Sequence, residues 1–133
     1  VIMAHNLGIR TSGHFILGLP GETERTMRET LNLALALPLD IAQFYAAAPF
    51  PGTRLFEEST DKGWLGKAVE VSQNTAVMTL PGISAKRVNE FRRHAQRRFY
   101  SRPETISNIL GMIEKKALAH ILKNLSVFLG NRA

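Results

Sequence analysis

What most constrains this chain is a pattern used twice in its first half: a short apolar run, a Pro–Gly break, then a stretch with helical periodicity. The first run is Thr11 to Leu19 (TSGHFILGL), nearly continuous in apolar residues and bracketed by glycines. That reads as a strand buried on both faces. Pro20-Gly21 ends it. Glu22 and Thr23 open a helix with acidic residues in its first turn, and Thr26-x-x-Glu29 offers a second capping box. Met27, Leu31, Ala34 and Leu35 form its apolar stripe, and Pro38 stops it. The second run, Ile41 to Ala48 (IAQFYAAA), is closed by Pro49-Phe-Pro-Gly52, and Thr53 caps a short helix through Glu58. Two such units in succession imply parallel strands joined by right-handed crossovers, and hence an α/β fold.

The remainder has a different character. Trp64 to Pro81 is mostly irregular, with a short strand expected at Thr75 to Thr79. Ser84 caps a helix whose positions Val88, Phe91, Ala95 and Phe99 share one face, while Arg87, Arg92, Arg93, Arg97 and Arg98 occupy the others. Pro103 suits the first turn of a further amphipathic helix, marked by Ile106, Ile109, Leu110, Ile113, Ala117, Ile121, Leu122, Leu125 and Phe128. The division expected is 1–80 for the strand–helix units and 81–133 for a helical extension.

Charge follows the same division. Up to Gly66 there are five Lys/Arg against seven Asp/Glu; from Lys67 onward there are twelve against four, which accounts for the net charge of +6. A solvated basic face and contact with an anionic partner both explain this. With no cysteine among 133 residues, disulfides, thiolate metal sites and cysteine nucleophiles are excluded. His5, His14, His94 and His120 lack metal-binding spacing, so no metal ligand is assigned. Charged residues interrupt every apolar stretch short of the roughly 18 residues of a membrane span, and the opening residues do not read as a secretory signal. A cytoplasmic location is expected. The chain is short against the about 250 residues of a complete (β/α)₈ barrel. Its opening, Val1 to Leu7, reads as the last turns of a helix with Gly8 at the left-handed cap, and the expectation is a fragment of a longer protein.

Candidate chemistry gathers at the C-terminal ends of the two expected strands, where α/β folds bind ligands. Gly13 and Gly18 would let a flat ligand lie against the backbone, and Gly21 would leave N–H groups open near a helix N-terminus for a carboxylate or phosphate. The Ala46-Ala-Ala48 run leaves room over a barrel mouth. Most glycines at such spacing only serve turns, and packing followed by an ordinary turn explains the alanine run equally well. His14 reads as a satisfied strand histidine or as an acid or base facing that mouth.

Taken together, FILGLPGETERTMRETLNLAL, DIAQFYAAAPFPGTRLFEEST and GWL resemble the C-terminal half of a radical S-adenosylmethionine (SAM) barrel. The similarity is greatest to the subgroup with a cobalamin-binding domain, which includes anaerobic magnesium-protoporphyrin cyclases and enzymes acting on hopanoids. RRFYSRP matches how that subgroup continues, so the resemblance runs from Leu7 to Pro103. It implies the C-terminal portion of a partial TIM-type barrel followed by a basic α-helical extension. It places Ile16, Gly18 and Leu19 along the adenine of SAM, and Gln43, Tyr45 and Ala47 near adenine or substrate. Glu22 is expected to cap its helix, and Pro49, Pro51 and Gly52 to stiffen the loop below the mouth. The implied cofactors are SAM, a [4Fe-4S] cluster and, in that subgroup, cobalamin. The implied chemistry is a 5′-deoxyadenosyl radical acting in methylation or C–C/C–H chemistry on a lipid-like or tetrapyrrole substrate. The family holds its cluster with C-x₃-C-x₂-C, which is absent here, so this chain alone is expected to be inactive and to need the missing N-terminal half of the barrel and a cobalamin domain as partners. A partial barrel exposes a sheet edge, and self-association is expected. Two alternatives stand beside this reading: a non-catalytic basic module meeting an anionic partner, peripheral membrane included, and kinship with tRNA methylthiotransferases, which share the GxPGET stretch. Nucleic-acid stacking is not expected, since Phe91 and Phe99 fit a core face.

Overall fold

The computed structural model describes residues 1–66 and 70–112. Its elements run α1 (Ile2–Asn6), β1 (Ser12–Leu17), α2 (Glu24–Ala36), β2 (Ile41–Ala46), α3 (Arg54–Asp61), α4 (Ala85–Tyr100) and α5 (Pro103–Met112). The fold is α/β, as the alternation of periods requires. The apolar positions assigned to the last helix from Ile113 to Phe128 lie outside the described residues.

β1 and β2 pair in parallel, Ser12 opposite Ile41 through Leu17 opposite Ala46. Both strands are shorter than the apolar runs that announce them. β1 ends where Gly18 takes a φ of +84°, a conformation that costs a residue with a Cβ and that breaks strand geometry. Because side chains alternate, Gly13, Phe15 and Leu17 share one face with Ala42, Phe44 and Ala46. This face is covered by α2 and α4, which pack on each other and form a single helical layer. Leu17, Met27, Ala34, Ala42, Ala95 and Phe99 there are all but sealed from solvent. Among the described residues, nothing covers the opposite face. The expectation of strands buried on both sides is thus corrected: apolar residues on the second face made one-sided strands read as two-sided.

The two edges of the sheet differ as well. Ile41 N donates to Thr11 O at one end of the ladder and Ala47 N to Leu17 O at the other, which turns the odd-numbered residues of β1 toward β2. Among the described residues, the backbone groups of Ser12, His14 and Ile16 on the outer edge therefore have no protein partner. The outer edge of β2 is closed by other means. The Tyr100 hydroxyl donates to Ala42 O at 2.9 Å, Arg92 Nη1 approaches Phe44 O at 3.4 Å, and Ala46 N donates to Gln73 O at 2.8 Å.

Gln73 belongs to the irregular segment after α3. The strand expected at Thr75 to Thr79 does not form; isolated bridges Leu65–Met78, Ser72–Thr75 and Leu80–Ile83 stand in its place. The Asn89 side-chain amide supplies what a neighbouring strand would, donating to Ala76 O at 3.0 Å and accepting from Ala76 N at 2.8 Å. α3 runs past Glu58 to Asp61, with Thr53 as its cap: Phe56 N donates to Thr53 Oγ1. Ser59, fully buried, ties that helix to Met78.

The Arg-Pro step after α4 is a clamp. Arg102 Nη1 donates to Leu35 O at 2.8 Å, its Nε to Thr105 Oγ1, and its guanidinium lies 4.1 Å from the Phe99 ring centroid. One side chain thus satisfies the carbonyl end of α2 and seats the start of α5.

Candidate ligand-binding face

The uncovered face of the sheet is built from three cross-strand pairs: Ser12 with Ile41, His14 with Gln43, and Ile16 with Tyr45. Period-two alternation puts them there once the other face is committed to the core. Ile16 keeps 50% of its surface exposed and Ile41 36%. The His14 and Tyr45 rings lie nearly parallel, 8° apart in plane and 6.0 Å between centroids. The Tyr45 hydroxyl donates to Gln43 Oε1, and Ser12 Oγ sits 3.3 Å from His14 Nε2. The result is a shallow platform with an aromatic and aliphatic surface, an amide, a phenol and an imidazole. It offers stacking and hydrogen bonding to a flat, neutral ligand.

Of the six residues singled out from the sequence, Ile16, Gln43 and Tyr45 share this platform. Leu19, 44% exposed, follows at the top of β1. Gly18 and Ala47 are buried at the same strand ends. A Cβ on Gly18 would meet Val88 Cγ1 at 3.0 Å, and one on Gly13 would meet Leu39 Cδ1 at 2.7 Å. Both glycines therefore have a packing reason, and Gly13 faces the covered side. His14 joins the open face, where its alternation with Ile16 puts it.

The turn after β1 differs from expectation in one respect. Glu22 does not cap α2. Its carboxylate accepts from Gly18 N and from Thr26 Oγ1, both at 2.8 Å. The cap is Thr23, which forms a box with Thr26, while Thr26-x-x-Glu29 plays no such part. The amides of Gly18, Glu22, Thr23 and Thr26 are thus all engaged within the turn. The open anion cradle expected around Gly21 is largely replaced by an internal carboxylate.

Electrostatics distinguish the helical layer. Hydrogen bonds from Arg87 and then Arg28 hold the Glu24 carboxyl down from 4.5 to about 2. Burial lowers the pKa of Arg92, with Arg93 adding to it, and among the described residues its Nε has no hydrogen-bond partner. The inward turn of Arg92, the edge closure by Tyr100 and the role of Asn89 leave no mark in the sequence. Hydrophobic spacing cannot tell an arginine at a sheet edge from one in solvent.

No protein-family model matches the chain. It is 32% identical over 126 residues to an uncharacterized methyltransferase of Pyrococcus horikoshii, which takes in 90% of this chain and 28% of that protein. Over 60 residues it is 40% identical to the tRNA-2-methylthio-N(6)-dimethylallyladenosine synthase of Psychrobacter sp., covering 45% of this chain and 12% of that one. Over 55 residues it is 40% identical to the anaerobic magnesium-protoporphyrin IX monomethyl ester cyclase of Rubrivivax gelatinosus, covering 41% and 10%. The chain spans less than a third of the length of each of these relatives, all of which carry enzyme names. No helix among the described residues is long and apolar enough to cross a membrane.

Proposed function

We propose that this chain forms the last strands of a radical SAM barrel in a longer enzyme, with the uncovered face of β1 and β2 turned toward the barrel interior. The observation that carries the reading is that Ile16, Gln43 and Tyr45 converge on the one uncovered face of a parallel pair whose other face is sealed by helices. Barrels distribute their strands in that way, with helices outside and ligands at the C-terminal strand ends. The three enzyme relatives support it independently of the geometry.

The residues present fit one part of SAM. Ile16 and Leu19 offer apolar contact to adenine, while Gly18 and Ala47 contribute backbone. Gln43 and Tyr45 offer hydrogen bonds to adenine or to a substrate. They do not fit the [4Fe-4S] cluster: with no cysteine the chain holds none of its thiolate ligands, which belong to sequence outside it. With the cluster, SAM would supply one-electron chemistry at an unactivated carbon. This chain's part is to position and to exclude water. Methyl transfer is the preferred outcome, because the methyltransferase relative matches across 90% of this chain. A lipid-like or tetrapyrrole substrate and the use of cobalamin belong to the same reading and rest on the sequence resemblance. A tRNA-modifying reaction is the second reading, favoured by the methylthio-synthase similarity through the GLPGET stretch.

The coding sequence upstream of Val1 tests this directly. It is expected to specify three cysteines as C-x₃-C-x₂-C. A start at Met3, with no such motif before it, overturns the proposal. In the longer protein, Ile16→Asp and Tyr45→Ala are expected to cut 5′-deoxyadenosine release at least about tenfold, a loss of ~1.4 kcal/mol in transition-state stabilisation. The cluster absorbance should stay unchanged.

A further inference from the structure

The helical layer carries a second feature, on the side away from the candidate face. α2 and α4 leave a groove between them, in two adjoining parts of about 320 and 310 Å³ that share Arg28, Phe91 and His94. The floor is apolar: Leu31 and Phe91 are buried core residues and Leu35 is half-buried. The rim carries four arginines, Arg28, Arg87, Arg97 and Arg98, with His94 and the single carboxylate of Glu90 beside them.

The carboxylates nearby do not balance it. Glu24 is shared by Arg28 and Arg87, and Glu90 is taken by Arg87. Arg97, Arg98 and His94 have no carboxylate within 4.0 Å among the described residues. The rest of the chain cannot make up the difference by composition: residues 113–133 bring Glu114 against Lys115, Lys116, Lys123 and Arg132, and residues 67–69 bring only Lys67.

We propose that this groove seats an acidic, amphipathic segment of a partner protein or domain, its apolar side on Leu35 and its carboxylates on Arg97 and Arg98. Guanidinium groups match carboxylates in a planar, two-point fashion, and a narrow groove with an apolar floor suits a segment that carries apolar side chains. Glu90 stands on the same rim, and Glu24 is paired with two of its arginines. The charge of both carboxylates opposes a uniformly anionic partner, such as a phosphodiester backbone or an acidic bilayer, which pairs best with a surface of one sign.

The test is fluorescence anisotropy on the full chain, using a labelled peptide of glutamate and leucine at i, i+4 spacing. The expected result is salt-sensitive binding, weakened about tenfold when the peptide's glutamates become glutamine and about tenfold by the Arg97→Gln/Arg98→Gln double variant. Arg25→Gln, at an exposed pair with Glu29 outside the groove, is expected to bind as wild type. Thermal melts confirm that these surface variants fold. Equal affinity for the glutamine peptide, or for the double variant, overturns the proposal. So does a single-stranded RNA oligomer, or a phosphatidylserine vesicle, that binds through Arg97 and Arg98 while the peptide does not.

Discussion

The two faces of one small sheet have opposite fates. On the covered face Phe15 stacks on Phe44, Phe44 meets Phe99 edge to face at 6.5 Å, and nothing of Leu17 reaches solvent. On the open face Ile16 and Tyr45 sit one residue along the same strands and remain exposed or half-exposed. Neighbouring residues in the chain thus answer to different demands, close packing on one side and availability on the other. Mutations should separate them cleanly, because stability resides in one face and ligand contact in the other.

The largest expected contrast is between Phe99→Ala and Ile16→Ala. Phe99 is fully buried, and its loss should cost about 3–5 kcal/mol in urea unfolding, against no more than about 0.5 for Ile16. Comparable costs would dissolve the distinction between the faces. Gly18→Ala comes next, at about 1–3 kcal/mol, because it combines a positive φ with a 3.0 Å approach to Val88. Pairing it with Val88→Ala should show favourable coupling, since the smaller side chain removes the clash but not the backbone strain. Tyr100→Phe removes the hydroxyl that closes β2 at Ala42 and should cost about 1 kcal/mol. The smallest effect is the pH dependence from Glu24, which links α2 to α4 behind the covered face. Its carboxyl is depressed from 4.5 to about 2, so its contribution is complete above 4.5 and disappears as pH falls through about 2. Wild type and Glu24→Gln should therefore differ slightly in Tm at neutral pH and converge near pH 2; a constant difference would remove the ion pair as its cause.

The parts legible in the sequence were those governed by local rules. Proline–glycine punctuation came within two residues of both strand ends, Thr53 and Ser84 marked two helix caps, and the spacing of Val88, Phe91, Ala95 and Phe99 identified the face of α4 that enters the core. Alternation within IAQFYA was also present, yet the apolar Ile41 and Tyr45 concealed which side was uncovered. What lies beyond local rules is long-range pairing by single side chains. Nothing adjacent to Asn89 announces that its amide will serve Ala76, and nothing near Arg92 separates it from Arg93, which stays in solvent. Glu22 is intermediate: an acid at a helix start reads as a cap, and only the returning turn at Gly18 shows a nearer donor.

The closed edge of β2 has a consequence for how this protein meets copies of itself. A fibril propagates because each added strand offers a fresh template on its far side. Here Tyr100, Arg92 and Gln73 already occupy Ala42 O, Phe44 O and Ala46 N on the outer flank of β2, so an added strand finds fewer free groups there than along β1.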